Sequence, residues 1–309
     1  MRINSAIIYS YIYKYKLTII FFMKSLKYSL LNILLLVTVY NCSNEKTDAE
    51  VIDTFDPSLY YEQLDVSYGD DPDQTFDLYL PANRSQNTKI MVLVHGGGWS
   101  AGDKNEMNAI RDLLRSDFPN LAVVNINYRL ADDDNAPYPM QINDISSIIE
   151  HLKINKTKYT ISDDLGFIGI SAGAHLALLW SYAFDTNNQV SMVCSIVGPT
   201  NFTDPAYLNN VNPDLQELLD LYGSDVPIAF LEEVSPYHQV TDIAPPTILF
   251  YGGQDPLIPT TQGTALRDKL LNLGVTHEFT LYPEAGHGWI GLELLDTWTK
   301  LKAFINAYI

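Results

Sequence analysis

Apolar and polar positions along the chain follow two alternating rhythms. Short, densely apolar runs of strand length are separated by stretches whose apolar residues return every three or four positions. The runs predict strands at Gln63–Tyr68, Thr75–Leu80, Ile90–Val94, Ala122–Asn127, Gly166–Ile170, Ser191–Ile196, Thr247–Tyr251 and Glu278–Tyr282. The middle runs are continuously apolar, as strands buried on both faces of a parallel sheet are. The first two alternate instead, and Gly69-Asp-Asp-Pro-Asp73 between them predicts an antiparallel hairpin at one edge.

The second rhythm predicts helices. Ile145, Ile148 or Ile149, and Leu152 keep one face between Tyr138 and Leu152. Leu266, Leu270 and Leu273 do so ahead of a stop at Gly274. Leu294, Trp298, Leu301, Ile305 and Tyr308 form a stripe along the last helix, read as core packing. A hairpin followed by alternating strands and helices predicts an α/β fold with a mostly parallel, doubly wound sheet, whose ligands sit at the carboxyl ends of the strands. The stretch from Gly198 to Pro246 lacks a clear strand. It carries Tyr207, Leu215, Leu218, Leu219, Tyr222 and Phe230 among prolines and acids, the composition of a small cap or pocket wall.

Charge divides the chain in two. Residues 1–42 hold five basic side chains (Arg2, Lys14, Lys16, Lys24, Lys27) and no acid, which leaves a net of −23 on residues 43–309. Nucleic acid and anionic membrane surfaces would be repelled by that remainder, so neither is expected as a partner. Met23-Lys-Ser-Leu-Lys27 ahead of the apolar run Leu30 to Tyr40 has the anatomy of an export signal, with translation starting at Met23. Cys42 follows that run directly, as the lipid-attachment cysteine of bacterial lipoproteins does, although Asn41 stands where those boxes prefer a small residue. A cleaved signal or an uncleaved anchor are the alternatives. Residues 43–60 read as a polar tether and 61–309 as one domain, making the protein exported and attached to a membrane only through its N-terminus. The other cysteine, Cys194, lies inside an apolar run and reads as packing.

Four motifs carry chemistry, and each falls at a strand end. Gly169-Ile-Ser171-Ala-Gly173 joins a strand to a helix-forming stretch, the mounting of a nucleophilic serine. A serine hydroxyl needs a base, and the base an orienting carboxylate. Asp255 stands just past one strand and His287 just past the next. Asp220 and Asp242 are rivals for the acid, but neither follows a strand. His95-Gly-Gly-Gly-Trp99 ends a strand with three glycines, which lets backbone N–H groups turn toward a developing oxyanion. His175 reads as packing, and His151, His238 and His277 as surface or core residues. His95, Asp103 and Lys104 read as hydrogen-bonding residues that shape the glycine loop. Trp99 and Trp289 read as core, or as pocket lining.

With Asn127-Tyr-Arg-Leu130, these motifs resemble the α/β-hydrolase superfamily. The nearest likeness is the His-Gly-Gly-Gly esterase/lipase branch and its small bacterial carboxylesterases, of the feruloyl and acetylxylan esterase kind. The resemblance covers about residues 62–309. It implies Ser171 as nucleophile, His287 as general base and Asp255 as its orienter. Gly97, Gly98 and Ala172 would form the oxyanion hole, with Gly96 serving the turn. No metal or cofactor is implied. The expected reaction is hydrolysis of a small-molecule or polysaccharide-linked ester through an acyl-enzyme. An amide-cleaving relative (an arylformamidase or peptidase) and an inactive binding homologue are the alternatives. Ile170 stands where hormone-sensitive-lipase relatives carry an acid, and only about 20 residues lie between Cys42 and the first predicted strand. Both departures favour an open pocket over a deep acyl tunnel.

Overall fold

The computed structural model describes residues 55–223 and 225–309. The N-terminal signal and Cys42 lie outside them, as does most of the tether. Among the described residues no helix is long and apolar enough to cross a membrane.

Eight strands form one sheet: β1 (Tyr61–Ser67), β2 (Thr75–Leu80), β3 (Ile90–Val94), β4 (Ala122–Ile126), β5 (Leu165–Ile170), β6 (Val190–Ile196), β7 (Thr247–Gly252) and β8 (His277–Tyr282). All eight predicted strands are present, with ends shifted by at most two residues. Their spatial order is β1-β2-β4-β3-β5-β6-β7-β8. β1 pairs antiparallel with β2, and β2 with β4; every other pairing is parallel. The expected hairpin is therefore there, but only β1 is exposed. β2 is buried almost throughout, because its polar alternate, Asp77, is covered and ion-paired.

Alternating side chains of the central strands feed two cores. Val92, Val94, Val124 and Ile126 pack under α2 (Pro137–Tyr159), α3 (Ala172–Ala183) and α8 (Thr260–Leu273). Met91, Leu93 and Val123 pack on the other face under α1 (Asn108–Asp117) and α9 (Leu292–Tyr308). Each fully buried Leu, Ile or Phe contributes about 1.5–3 kcal/mol relative to exposure. Gly274 takes φ 72° and stops α8 as its spacing predicts. The last-helix stripe needs one correction. Leu301 and Ile305 are buried, but Leu294 is 51% exposed, since burial of α9 starts only at Thr297, where its hydroxyl meets that of Tyr282.

Between β6 and β7 the chain builds the cap from four short helices: α4 (Pro205–Leu208), α5 (Pro213–Asp220), α6 (Ile228–Glu233) and α7 (Pro236–Gln239). The order in which strands are added reverses between β3 and β5, which run parallel, and Val94 pairs with Gly169 there. That register sets the glycine loop after β3 beside the serine after β5, at the topological switch point where α/β sheets bind ligands.

Candidate active site

Ser171 sits between β5 and α3 with no loop residues to spare, at φ 53° and ψ −120°. An L-residue adopts such a φ only where its surroundings enforce it. Here the Ser171 N–H donates to the Ile196 carbonyl (2.8 Å), and α3 follows at once. Gly173 is required by close approach: a Cβ there would lie 2.2 Å from the His95 carbonyl oxygen.

The Ser171 Oγ lies 2.9 Å from His287 Nε2, and His287 Nδ1 lies 2.7 Å from Asp255 Oδ2. Nδ1 faces a carboxylate, so it carries the proton and donates. Nε2 is left as the acceptor for the serine hydroxyl, the tautomer a general base needs. The Asp255 side chain is 1% exposed, and its Oδ1 accepts from the N–H groups of Leu257 (2.9 Å) and Ile258 (3.0 Å). The carboxylate is thus held by the turn that follows β7. Asp220 and Asp242, the rival acids, are both exposed and make no contact with His287.

The glycine loop is fixed by a polar network running through the segment after β4 and back to β1 and β2. The His95 ring is buried and stacks on Tyr128 at 4.3 Å, and its Nδ1 donates to the Gly96 carbonyl (2.7 Å). Burial lowers the His95 pKa, which keeps that ring neutral. The Tyr128 hydroxyl donates to the His95 carbonyl (2.9 Å). Asn127 holds both loop residues beyond the glycines. Its Oδ1 accepts from the Lys104 N–H (2.6 Å), and its Nδ2 donates to Asp103 Oδ2 (3.0 Å). The Lys104 ammonium is buried between Asp77 (2.8 Å) and Asp65 (2.6 Å). Arg129 completes the Asn127-Tyr-Arg motif by gripping the fully buried Asp144 with its Nε at 3.0 Å from both oxygens. His95, Asp103 and Lys104 therefore act on the loop's shape, each through a bond to the protein.

Gly97 (φ 109°) and Gly98 (φ 57°) line the cavity above Ser171, together with Gly96 and Ala172. Ala172 opens α3, so its N–H points out of the helix N-terminus with the partial positive charge of that end. The cavity holds about 390 Å³. Met107, Leu215, Leu218, Leu257 and Ile258 make its apolar walls, with Trp99, Pro199 and Tyr207. The Gly198–Pro246 segment thus supplies wall residues as expected, although Tyr222 packs beneath them against Trp99 and Phe230 against Tyr138. The two tryptophans part company: Trp99 lines the cavity, while Trp289 donates to Thr297 Oγ1 and packs on Tyr282. A larger depression at the opposite end of the sheet, lined by Arg84, Lys89 and Asn306, holds none of the motif residues.

The remaining histidines are structural. His175 is buried; its Nε2 donates to the Val234 carbonyl (2.8 Å), and its Nδ1 accepts from the Trp99 indole (3.2 Å). Burial lowers its pKa to about 4. His151 contacts the Tyr159 hydroxyl, His238 the Thr203 hydroxyl and His277 the Val275 carbonyl. Leu257, Ile258 and Met107 are wall residues that motif reading passed over. The first two follow Asp255 directly, so their place beside the acid was the available signal.

An elbow serine, an acid and a histidine in that chain order, over a mostly parallel eight-stranded sheet, define an α/β-hydrolase. The BD-FAE family model matches residues 76–270, more than half of the chain. The chain belongs to this family of α/β-hydrolase esterases. It is 27% identical to esterase LipC of Mycobacterium tuberculosis over 77% of its own length and 61% of LipC. It is 26% identical to carboxylesterase NlhH of Mycobacterium tuberculosis over 84% of its own length and 79% of NlhH. A solved structure of a truncated carbohydrate esterase from gut microbiota superposes with a TM-score of 0.65 at 22% identity, covering 80% of this chain and 98% of that one.

Proposed function

We propose that this esterase hydrolyses carboxylic esters through an acyl-enzyme, with Ser171 as nucleophile, His287 as general base and then acid, and Asp255 as orienter. Ser171 Oγ attacks the ester carbonyl as its proton passes to His287 Nε2. The carbonyl oxygen becomes an oxyanion held by the N–H groups of Gly97, Gly98 and Ala172. Donors of this kind lower the barrier by about 3–4 kcal/mol each. The C–O bond then breaks, His287 protonates the departing alcohol, and water repeats the sequence on the acyl group. The observation that carries this reading is the unbroken hydrogen-bond line from Asp255 through His287 to Ser171, opening on the glycine-rimmed cavity.

The substrate part of the proposal is a short acyl group on a small or polysaccharide-linked alcohol. A cavity of about 390 Å³ suits acetyl, butyryl or a single aromatic acyl group better than a long chain. The carbohydrate esterase among the structural neighbours lends the polysaccharide version its motive. The proposed setting is outside the cytoplasm, with residues 1–42 as a lipoprotein signal and the lipid on Cys42.

Labelling by a fluorophosphonate probe tests the nucleophile. Wild type is expected to label and Ser171→Ala not to; a folded wild type that stays unlabelled would overturn the reading. A panel of nitrophenyl esters of increasing length, acetylated xylan, methyl ferulate and acyl anilides ranks the substrates. Faster cleavage of anilides than of matched esters would favour the amide-cleaving alternative. Mass spectrometry of membrane-extracted protein should find a diacylglyceryl group on Cys42, and its absence would reject the anchor.

A further inference from the structure

Tyr207 is 3% exposed and lines the cavity that holds Ser171 and His287. Its hydroxyl is buried with no hydrogen-bond partner among the described residues. A buried phenol O–H left unpaired costs about 1–3 kcal/mol, so a position that keeps it calls for a reason. The surroundings do not excuse it as a loose side chain. Tyr207 sits on α4, whose N-cap Asp204 accepts from the Ala206 N–H (2.8 Å). The same carboxylate accepts from Thr261 Oγ1 (2.5 Å) and Gln262 Nε2 (2.9 Å), which ties the helical turn to the start of α8. Gln262 is itself fully buried and accepts from the N–H groups of Thr200 and Asn201 (both 2.8 Å). The phenol is therefore presented from a fixed support. Burial, with the nearby Tyr251, Asp255 and Asp204, pushes its pKa well above the ordinary phenol value. Such a group is a donor at any working pH and never a base. Every other side chain on the cap side of the cavity, Leu215 and Leu218 among them, is apolar.

We propose that the Tyr207 hydroxyl is a specificity-determining donor, which bonds an oxygen carried by the substrate portion held in this cavity. The inference rests on the esterase reading above and narrows its substrate class. The preferred esters bear a hydroxyl, ether or carbonyl oxygen beyond the scissile carboxyl, in the acyl arm or in the alcohol. A site with a buried donor discriminates against the analogue that leaves the donor unpaired, and far more steeply than an apolar pocket rejects an added methylene. Oxygen on the acyl arm and oxygen on the alcohol offer Tyr207 the same chemistry, and two substrate pairs separate them.

The test is Tyr207→Phe on the full chain. The acyl pair is nitrophenyl methoxyacetate against nitrophenyl butyrate, which exchange an ether oxygen for a methylene. The alcohol pair is an acetylated methyl xyloside against cyclohexyl acetate. In one of the two pairs the variant should lose about tenfold or more in kcat/KM on the oxygenated ester, and less than threefold on its hydrocarbon partner. Comparing ratios within a pair cancels the intrinsic reactivity of the esters. The melting temperature should stay level or rise, because Phe removes an unpaired buried polar group without opening a cavity. A uniform loss on all four esters with a lowered melting temperature would assign Tyr207 a packing role and overturn the proposal. Unchanged ratios in both pairs would overturn it as well. Failure of the underlying esterase reading looks different: wild type would then cleave none of the four and take no fluorophosphonate label.

Discussion

The two walls of the cavity are built on opposite plans. On the sheet side, the glycine loop is tied down by His95, Tyr128, Asn127 and Lys104, with buried hydrogen bonds reaching β2 and β4. On the cap side, Leu215 and Leu218 face the cavity from α5, and polar pairing stops short of the surface they present. The first plan suits groups that must hold their positions while charge develops, since preorganised donors need no reorganisation at the moment of reaction. The second suits recognition, where apolar walls adapt to shape at low cost. Leu218 is where they meet: a Cβ on Gly98 would come within 2.4 Å of its Cδ2.

The sheet-side wall should lose most from a change at the acid. Asp255→Asn keeps the size of the side chain but reverses its hydrogen-bond demand on His287 Nδ1, favouring the wrong tautomer. About 10⁴-fold should be lost in kcat. Far-UV circular dichroism and melting temperature should match wild type. Asp242→Asn, at an exposed position, should leave turnover unchanged. A large loss in Asp242→Asn and none in Asp255→Asn would reassign the acid.

Next in size is the buried ion pair behind the glycine loop. Lys104→Met leaves the Asp77 carboxylate buried without its cation, a change that typically costs about 3–5 kcal/mol. Thermal unfolding of Lys104→Met should show it. The double variant Asp77→Leu with Lys104→Met should recover much of the loss in stability, because the uncompensated charge is gone. Activity should recover less, since Lys104 belongs to the segment that shapes the loop. Equal recovery of both would mean that this pair supports the fold without positioning the donors.

The meeting point can be separated by sterics. Gly98→Ala forces a methyl into Leu218 at a φ of 57°, and about 10²–10³-fold in kcat should go with the displaced donor. Adding Leu218→Ala should return part of it, because the obstacle is the far end of a flexible side chain. No such rescue should exist for Gly97→Ala, whose Cβ would strike the Ala101 carbonyl oxygen at 2.0 Å. Steady-state rates on one nitrophenyl ester decide both.

The same division governs what could be read from the chain. Sheet-side positions announce themselves because the chemistry demands particular residues at strand ends. Ser171, Asp255, His287 and the glycines are all found by motif, and their strands by continuous apolar runs. The cap was harder for a physical reason. Its helices are one or two turns long, too short for a 3.6-residue period to appear. Three of them nonetheless carry a start signal, Asp204-Pro205, Asn212-Pro213 and Ser235-Pro236, with proline at the first helical position. The partner of Lys104 was hidden differently: Asp77 alternates with apolar residues as a solvent-facing position would, and only the fold buries it. Leu294 erred in the opposite sense, fitting a stripe whose first turn stays exposed because the helix is buried only from Thr297 onward.

A milder change is expected at His175, which joins the two walls by accepting from the Trp99 indole and donating to Val234 behind the cap. Its folded pKa is about 4, below the ordinary value of 6.5. Above 6.5 the ring is neutral in both folded and unfolded chains, so its contribution to stability is complete. Between 6.5 and 4 the unfolded chain binds a proton that the folded one refuses, and stability falls as pH falls. A melting series over that window should therefore slope downward toward acid. His175→Gln can still accept from the indole and donate to the carbonyl, but it cannot titrate. It should be somewhat less stable than wild type at pH 7, with a shallower slope between pH 6.5 and 4. An unchanged slope would mean that the acid sensitivity arises elsewhere, with His95, also buried and with a lowered pKa, the next histidine to replace.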